Sequence, residues 1–153
     1  MKISKSIGED VILGLNSSCL IFNSKNEVKQ FKRCKNFFTL IIKPNFGCST
    51  KNIYAQVRNY SKPQFFKIKS KNINFNTLSK MKNDLEVISF KLYPRLRKLR
   101  QFFLNIDKNS YVRMTGSGST IVGYFMSKKA ALNAKELLKK KYKNYWCNLS
   151  KTI

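Results

Sequence analysis

The sequence predicts an α+β fold, with a ferredoxin-like βαββαβ unit over residues 36–153. Three observations lead there. Short apolar runs of strand character alternate with stretches of helical period in the order strand, helices, strand, strand, helix, strand. The two middle strands are joined only by the Gly-Ser-rich tetrapeptide 116–119. Each helical stretch keeps one apolar face, so an antiparallel sheet with helices on one side is the natural closure. Residues 1–35 stand outside that unit and read as the trailing edge of something else.

Taken in order, residues 17–23 (SSCLIFN) read as a strand, and residues 23–26 as a turn into a second strand at Val28–Phe31. Phe37–Ile42 is a nearly continuous apolar strand, so cover on both faces is expected. Pro44 ends it, because proline cannot donate to a ladder. A short helix starts at Ser49 or Thr50, both competent caps. Residues 58–76 hold no sustained period and read as a mobile basic loop. Asn83 and Glu86 then have capping-box spacing, with Asp84 in a first turn whose dipole favours negative charge. Leu85, Ile88 and Leu92 share one helical face, and Pro94 breaks this helix or opens the next. Leu96, Leu99, Phe103 and Ile106 form the face of that second helix. Residues 110–115 and 120–126 are strands about the glycine turn. Ser127 caps a last helix with Ala131, Ala134 and Leu138 inward, and residues 145–150 (YWCNLS) close the unit as a strand.

Charge bounds the partners. Lys and Arg total 31 against 7 Asp and Glu, a net charge of +24. Such a surplus suits nucleic acid or an anionic membrane surface. Lysine dominates arginine, however, and Asn, Ile, Phe and Tyr are frequent, all residues with A/T-rich codons. Compositional bias therefore accounts for the surplus. Arginine, the preferred reader of phosphates and base edges, is scarce, so nucleic acid is not the expected partner. With no histidine, Ser-His-Asp and Cys-His catalysis and histidine metal sites are excluded. The four cysteines lack CxxC spacing and read as reduced thiols of a cytosolic protein, with no metal. No apolar run approaches the roughly 18 residues of a membrane span, and the first ten residues hold no signal-peptide core, so a cytoplasmic, non-membrane location is expected.

Three segments carry candidate chemistry. In RMTGSGST (113–120), Gly116, Ser117, Gly118 and Ser119 form a tight turn whose backbone N–H groups can cradle phosphate oxygens, with hydroxyls from Ser117, Ser119 and Thr120. An ordinary hairpin loop would look the same. In IGEDV (7–11), Asp10 is a rare acid that surrounding positive charge keeps ionised, able to take a proton from a substrate hydroxyl. A structural loop aspartate is the plain alternative. In IKPNFGCSTKNIY (42–54), a strand runs through a turn into a helix start, where anions and polar groups bind. Tyr54 follows one turn on, placed to stack on a flat ligand or to join the core.

Together these segments resemble the C-terminal part of the galactokinase–homoserine kinase–mevalonate kinase–phosphomevalonate kinase (GHMP) superfamily, and within it the members acting on a cytidyl-methylerythritol substrate. IGEDV resembles a Gly-x-Asp-Val segment, IKPNFGCSTKNIY a Lys-Pro-x-x-x-x-Ser-Thr-Lys-x-x-Tyr segment, and RMTGSGST the third family motif. NDLE (83–86) and LYPRLRKLR (92–100) resemble its Asn-Asp-Leu-Glu and Tyr-Pro helices. Ile12 and Glu9 depart from the proline and small residue usual beside the aspartate.

The resemblance implies transfer of the ATP γ-phosphate, with Mg2+ accompanying ATP, to the 2-hydroxyl of the diphosphocytidyl-methylerythritol substrate in the non-mevalonate isoprenoid route. It implies Asp10 as catalytic base or orienter, Thr50 as substrate contact and Tyr54 as the cytosine-stacking aromatic. It places Gly116, Ser117, Gly118 and Ser119 beside the nucleotide phosphates. It also makes residues 36–153 the C-terminal domain and residues 1–35 the tail of an N-terminal domain of the ribosomal protein S5 domain 2-like type. The Gly-rich ATP loop of that domain is not in the sequence, so a C-terminal portion inactive by itself is expected. Two other readings stay open, a GHMP kinase for another alcohol and a basic ferredoxin-like nucleic-acid-binding module. The aromatic signature of the latter is not evident.

Overall fold

A computed structural model describes residues 19–22, 28–31, 35–62 and 74–152 of the chain. In order the elements are β1 (Cys19–Phe22), β2 (Val28–Phe31), β3 (Phe38–Lys43), α1 (Thr50–Tyr54), α2 (Phe75–Lys80), α3 (Leu85–Leu92), α4 (Pro94–Leu104), β4 (Tyr111–Met114), β5 (Ile121–Phe125), α5 (Lys128–Lys141) and β6 (Trp146–Lys151). Contacts divide the described residues into two units, one holding residues 19–22, 28–31, 35–36 and 74–78, the other residues 37–62 and 79–152.

In the first unit β1 and β2 form an antiparallel ladder running from Cys19 opposite Phe31 to Phe22 opposite Val28. Phe31 is buried, with the Lys29 ammonium 5.8 Å from its ring centre. The turn expected at residues 23–26 lies outside the described residues.

The second unit is a four-stranded antiparallel sheet in the order β4-β5-β3-β6. That is the strand order of the split βαβ unit, with its first strand, β3, between the third and the fourth. The register aligns Met114, Ile121, Ile42 and Cys147 in one row and Val112, Gly123, Leu40 and Leu149 in the next. Alternation puts both rows on one face. Leu96, Leu99 and Phe103 of α4 and Ala131, Ala134 and Leu138 of α5 join them in a single apolar cluster, all six fully buried. Each leucine-sized side chain so buried contributes about 1.5–3 kcal/mol. Gly123 admits the α4 helix closely, since a Cβ there would lie 2.3 Å from Phe103 Cζ.

On the opposite face Tyr111 and Tyr124 stack at 4.5 Å, and the Arg113 guanidinium lies 5.5 Å from the Tyr111 ring. Burial raises both phenol pKa values above the ordinary range. Cover of β3 on this face is partial: Thr39 is buried and Ile41 half-buried. Leu40 and Ile42, on the helix side, are wholly enclosed.

Several expectations are corrected. Part of the stretch read as a loop is helical: α2 begins at Phe75, with the Asn74 Oδ1 accepting from the Thr77 N–H at 3.0 Å. It buries no residue. Leu92 is 38% exposed, and Ser89 takes the inward position instead. Ser127 stands at the start of α5 in extended conformation, but its hydroxyl makes no cap bond. Pro94 does open α4 at its first turn.

Candidate functional site

The glycine loop joins β4 to β5. The Thr115 N–H donates to Thr120 O at 3.0 Å and the Gly118 N–H to Thr115 O at 3.0 Å, closing a turn within a turn. Gly116 and Gly118 have φ of +53° and +90°, where L side chains are strained. Gly118 is also crowded: a Cβ there would meet Met114 Sδ at 2.9 Å and Cys48 Sγ at 3.3 Å. Burial pushes the Cys48 thiol pKa up, keeping that neighbour neutral.

The loop meets the strand–turn–helix segment at two points. Ser119 is buried, and its hydroxyl donates to Phe46 O at 2.7 Å, so its single proton is used inside the fold. Ser117 Oγ and Thr50 Oγ1 share a hydrogen bond of 2.8 Å on the exposed side. Thr50 opens α1, capped by Ser49, whose Oγ accepts from the Asn52 N–H. The Ser49 N–H in turn donates to the Tyr93 phenol oxygen at 2.8 Å. Tyr54, four residues on and hence on the same helical side, is 51% exposed. The arrangement thus brings Thr50 and Ser117 together, keeps Tyr54 exposed on the same side of α1 as Thr50, and presents Gly116 at the surface. Asp10 lies outside the described residues. α1 has five residues.

Sequence reasoning missed what holds the loop. Glu86 does not reach back to the Asn83 N–H as in a capping box. Its carboxylate accepts from the Met114 N–H at 2.6 Å. β4 is an edge strand, and an outward N–H there needs a partner that no strand supplies. The Asn83 carboxamide donates to Met114 O at 3.0 Å and Gly116 O at 2.8 Å, and accepts from the Leu85 N–H at 3.1 Å. The buried Ser89 hydroxyl donates to Ser117 O at 3.2 Å. Asp84 accepts from both the hydroxyl and the N–H of Ser61, which lower its pKa. The spacing Asn83–Glu86 was visible, but a local capping motif and a long-range clamp look alike in one dimension.

Among the described residues no group of three or more His, Cys, Asp or Glu could hold a metal ion, and no helix is long and apolar enough to cross a membrane. The Glu86 carboxylate is committed to the Met114 N–H.

Residues 66–144 match the family model described as GHMP kinases C terminal. The chain belongs to the GHMP kinase C-terminal family. Within it, the sequence is 46% identical to a 4-diphosphocytidyl-2-C-methyl-D-erythritol kinase of Pelagibacter ubique (strain HTCC1062), over 99% of this chain and 54% of that protein. It is 30% identical to the kinase of the same name from Clostridium tetani (strain Massachusetts / E88), over 99% of this chain and 56% of that one. The chain thus spans about half the length of the curated relatives it matches. The fold matches a crystal structure of 4-(cytidine 5'-diphospho)-2C-methyl-D-erythritol kinase with a TM-score of 0.72, at 20% identity, over 95% of this chain and 54% of that one. It also matches homoserine kinase from Cytophaga hutchinsonii with a TM-score of 0.65, at 16% identity, over 96% of this chain and 55% of that one. At these identities the two structures speak for the GHMP C-terminal fold alone.

Proposed function

We propose that the chain serves ATP-dependent phosphorylation of the 2-hydroxyl of 4-diphosphocytidyl-2-C-methyl-D-erythritol, a cytoplasmic step toward isoprenoid precursors. The single observation that carries the reading is the Thr50–Ser117 hydrogen bond. It joins the segment expected to contact the substrate to the loop expected to contact phosphate. The 46% identity to the Pelagibacter ubique kinase, sustained over 99% of this chain, supports the substrate class.

In this reading Thr50 holds the substrate and Tyr54 stacks on its cytosine ring. Gly116, Ser117 and Gly118 line the phosphates of ATP, which arrives with its own Mg2+. Asp10 takes the proton of the 2-hydroxyl as that oxygen bonds to the γ-phosphorus and the bond to ADP breaks. Ser119 serves differently from the others, since its proton ties the loop to Phe46. Phosphoryl transfer rests on positioning and electrostatics. Without the Gly-rich ATP loop, the 153-residue chain assayed by itself turns over far below normal kinase rates.

Cytidine diphosphate titrated into the chain tests the substrate side. Stacking on an aromatic is worth about 1–3 kcal/mol per base, so Tyr54→Ala weakens binding by about 10-fold or more. Unchanged affinity in Tyr54→Ala, or equal affinity for cytidine and adenosine diphosphates, defeats the assignment. Competition by a non-cytidyl alcohol substrate alone would instead favour a GHMP kinase of other specificity.

A further inference from the structure

The stretch from Asn83 through α3 does more than pack. A trans peptide is planar, with its C=O and the next N–H on opposite sides. Three peptide planes of the glycine loop have their carbonyls held by side chains. Asn83 holds Met114 O and Gly116 O, and Ser89 holds Ser117 O. The amides across those planes are therefore turned away from Asn83 and Ser89. Two of them are used inside the loop: the Thr115 N–H on Thr120 O and the Gly118 N–H on Thr115 O. The third, the Ser117 N–H, has no partner among the described residues. It belongs to the residue whose hydroxyl meets Thr50.

We propose that Asn83 and Ser89 are positioning residues that aim the Ser117 N–H and hydroxyl together at a phosphate of the bound nucleotide. The proposal rests on the phosphate-loop reading above. Asn83 suits the task because one carboxamide carries two donors for two carbonyls two residues apart, while its oxygen is fixed on the Leu85 N–H. A carboxylate there would face both carbonyls with acceptors only. Ser89 is wholly buried, so its hydroxyl has little freedom to bond elsewhere. Neither residue need touch substrate.

The test uses the full chain labelled with 15N, with Asn83→Asp and Ser89→Ala as variants and inorganic pyrophosphate as the probe. Ser89→Ala loses one anchoring hydrogen bond and should speed exchange of the Gly118 amide by about 10-fold; Asn83→Asp loses two and should speed it by at least as much, while the central-strand amides of Leu40 and Ile42 keep their protection. Pyrophosphate should shift the Ser117 amide in the parent, and half-saturation should need about 10-fold more probe in each variant. If Gly118 exchange is unchanged, or rises only in step with Leu40 and Ile42, the two residues merely support the fold and the positioning role is overturned. If Gly118 responds selectively but pyrophosphate leaves the parent Ser117 amide unmoved, the phosphate-loop reading itself is overturned. Should Asn83→Asp fail to fold, Ser89→Ala decides alone.

Discussion

At Gly118 two requirements coincide, a φ of +90° and a Cβ position 2.9 Å from Met114 Sδ. At Gly116 only the first holds: φ is +53°, and nothing lies within 4 Å of the Cβ position. The two glycines therefore predict different outcomes. Gly118→Ala should cost about 2–4 kcal/mol in urea unfolding, from strain plus crowding. Gly116→Asn should cost less than about 1 kcal/mol, since asparagine visits the left-handed region. Equal losses would remove the distinction. Asp84 gives a pH prediction. The Ser61 hydroxyl, then the Ser61 N–H, hold its carboxyl below the usual range, with Lys82 nearby adding to the effect. A depressed folded pKa stabilises above the unfolded value of about 3.9 and is lost as pH falls through the lower folded value. Acid unfolding of Asp84→Asn should accordingly begin from a less stable state at neutral pH and show a shallower decline below about pH 4. At this scale the sequence revealed which residues matter more readily than what they touch. Asn83 and Glu86 stood out as a pair, yet their partners Met114 and Gly116 are some thirty positions away, where no local pattern reaches.

Among the elements, α4 and α5 were legible because each buries a regular 3.6-period face, from Leu96 to Phe103 and from Ala131 to Leu138. The strands were legible through apolar runs bounded by Pro44 and the glycines. What escaped was α2, which buries nothing, and the rotation of α3 that turns Ser89 inward and leaves Leu92 exposed. A serine reaching a loop carbonyl breaks the hydrophobic stripe, and the stripe was the only signal available. The contact of α4 with β5 makes a prediction of its own. Gly123→Ala would drive a methyl into the Phe103 ring, at 2.3 Å from Cζ, and should cost at least about 1–3 kcal/mol. Phe103→Leu in the same chain should recover part of that loss, as a double-mutant cycle in thermal unfolding would read. Strict additivity of the two changes would show that the contact is not shared.

For the molecule as a whole, the net charge of +24 should give weak, sequence-independent association with single-stranded RNA. Affinity should fall by about 10-fold or more between 50 and 200 mM salt, leaving micromolar or weaker binding. Tight binding that survives physiological salt would favour the nucleic-acid reading. Fold class was readable at this scale because the order of strands and helices survives where identity is low, as the 20% identity to a structure of TM-score 0.72 illustrates. The surroundings of Asp10 were not, because that residue lies outside the described part. The sheet order has a consequence for synthesis. The central strand β3 acquires one neighbour, β5, across residues 38 and 125, and the other, β6, across residues 38 and 151. Until Trp146–Lys151 has left the ribosome, Leu40, Ile41 and Ile42 present an unpaired apolar edge to every other nascent chain. A premature stop codon before residue 146 would therefore tend to yield an aggregate rather than a smaller soluble domain.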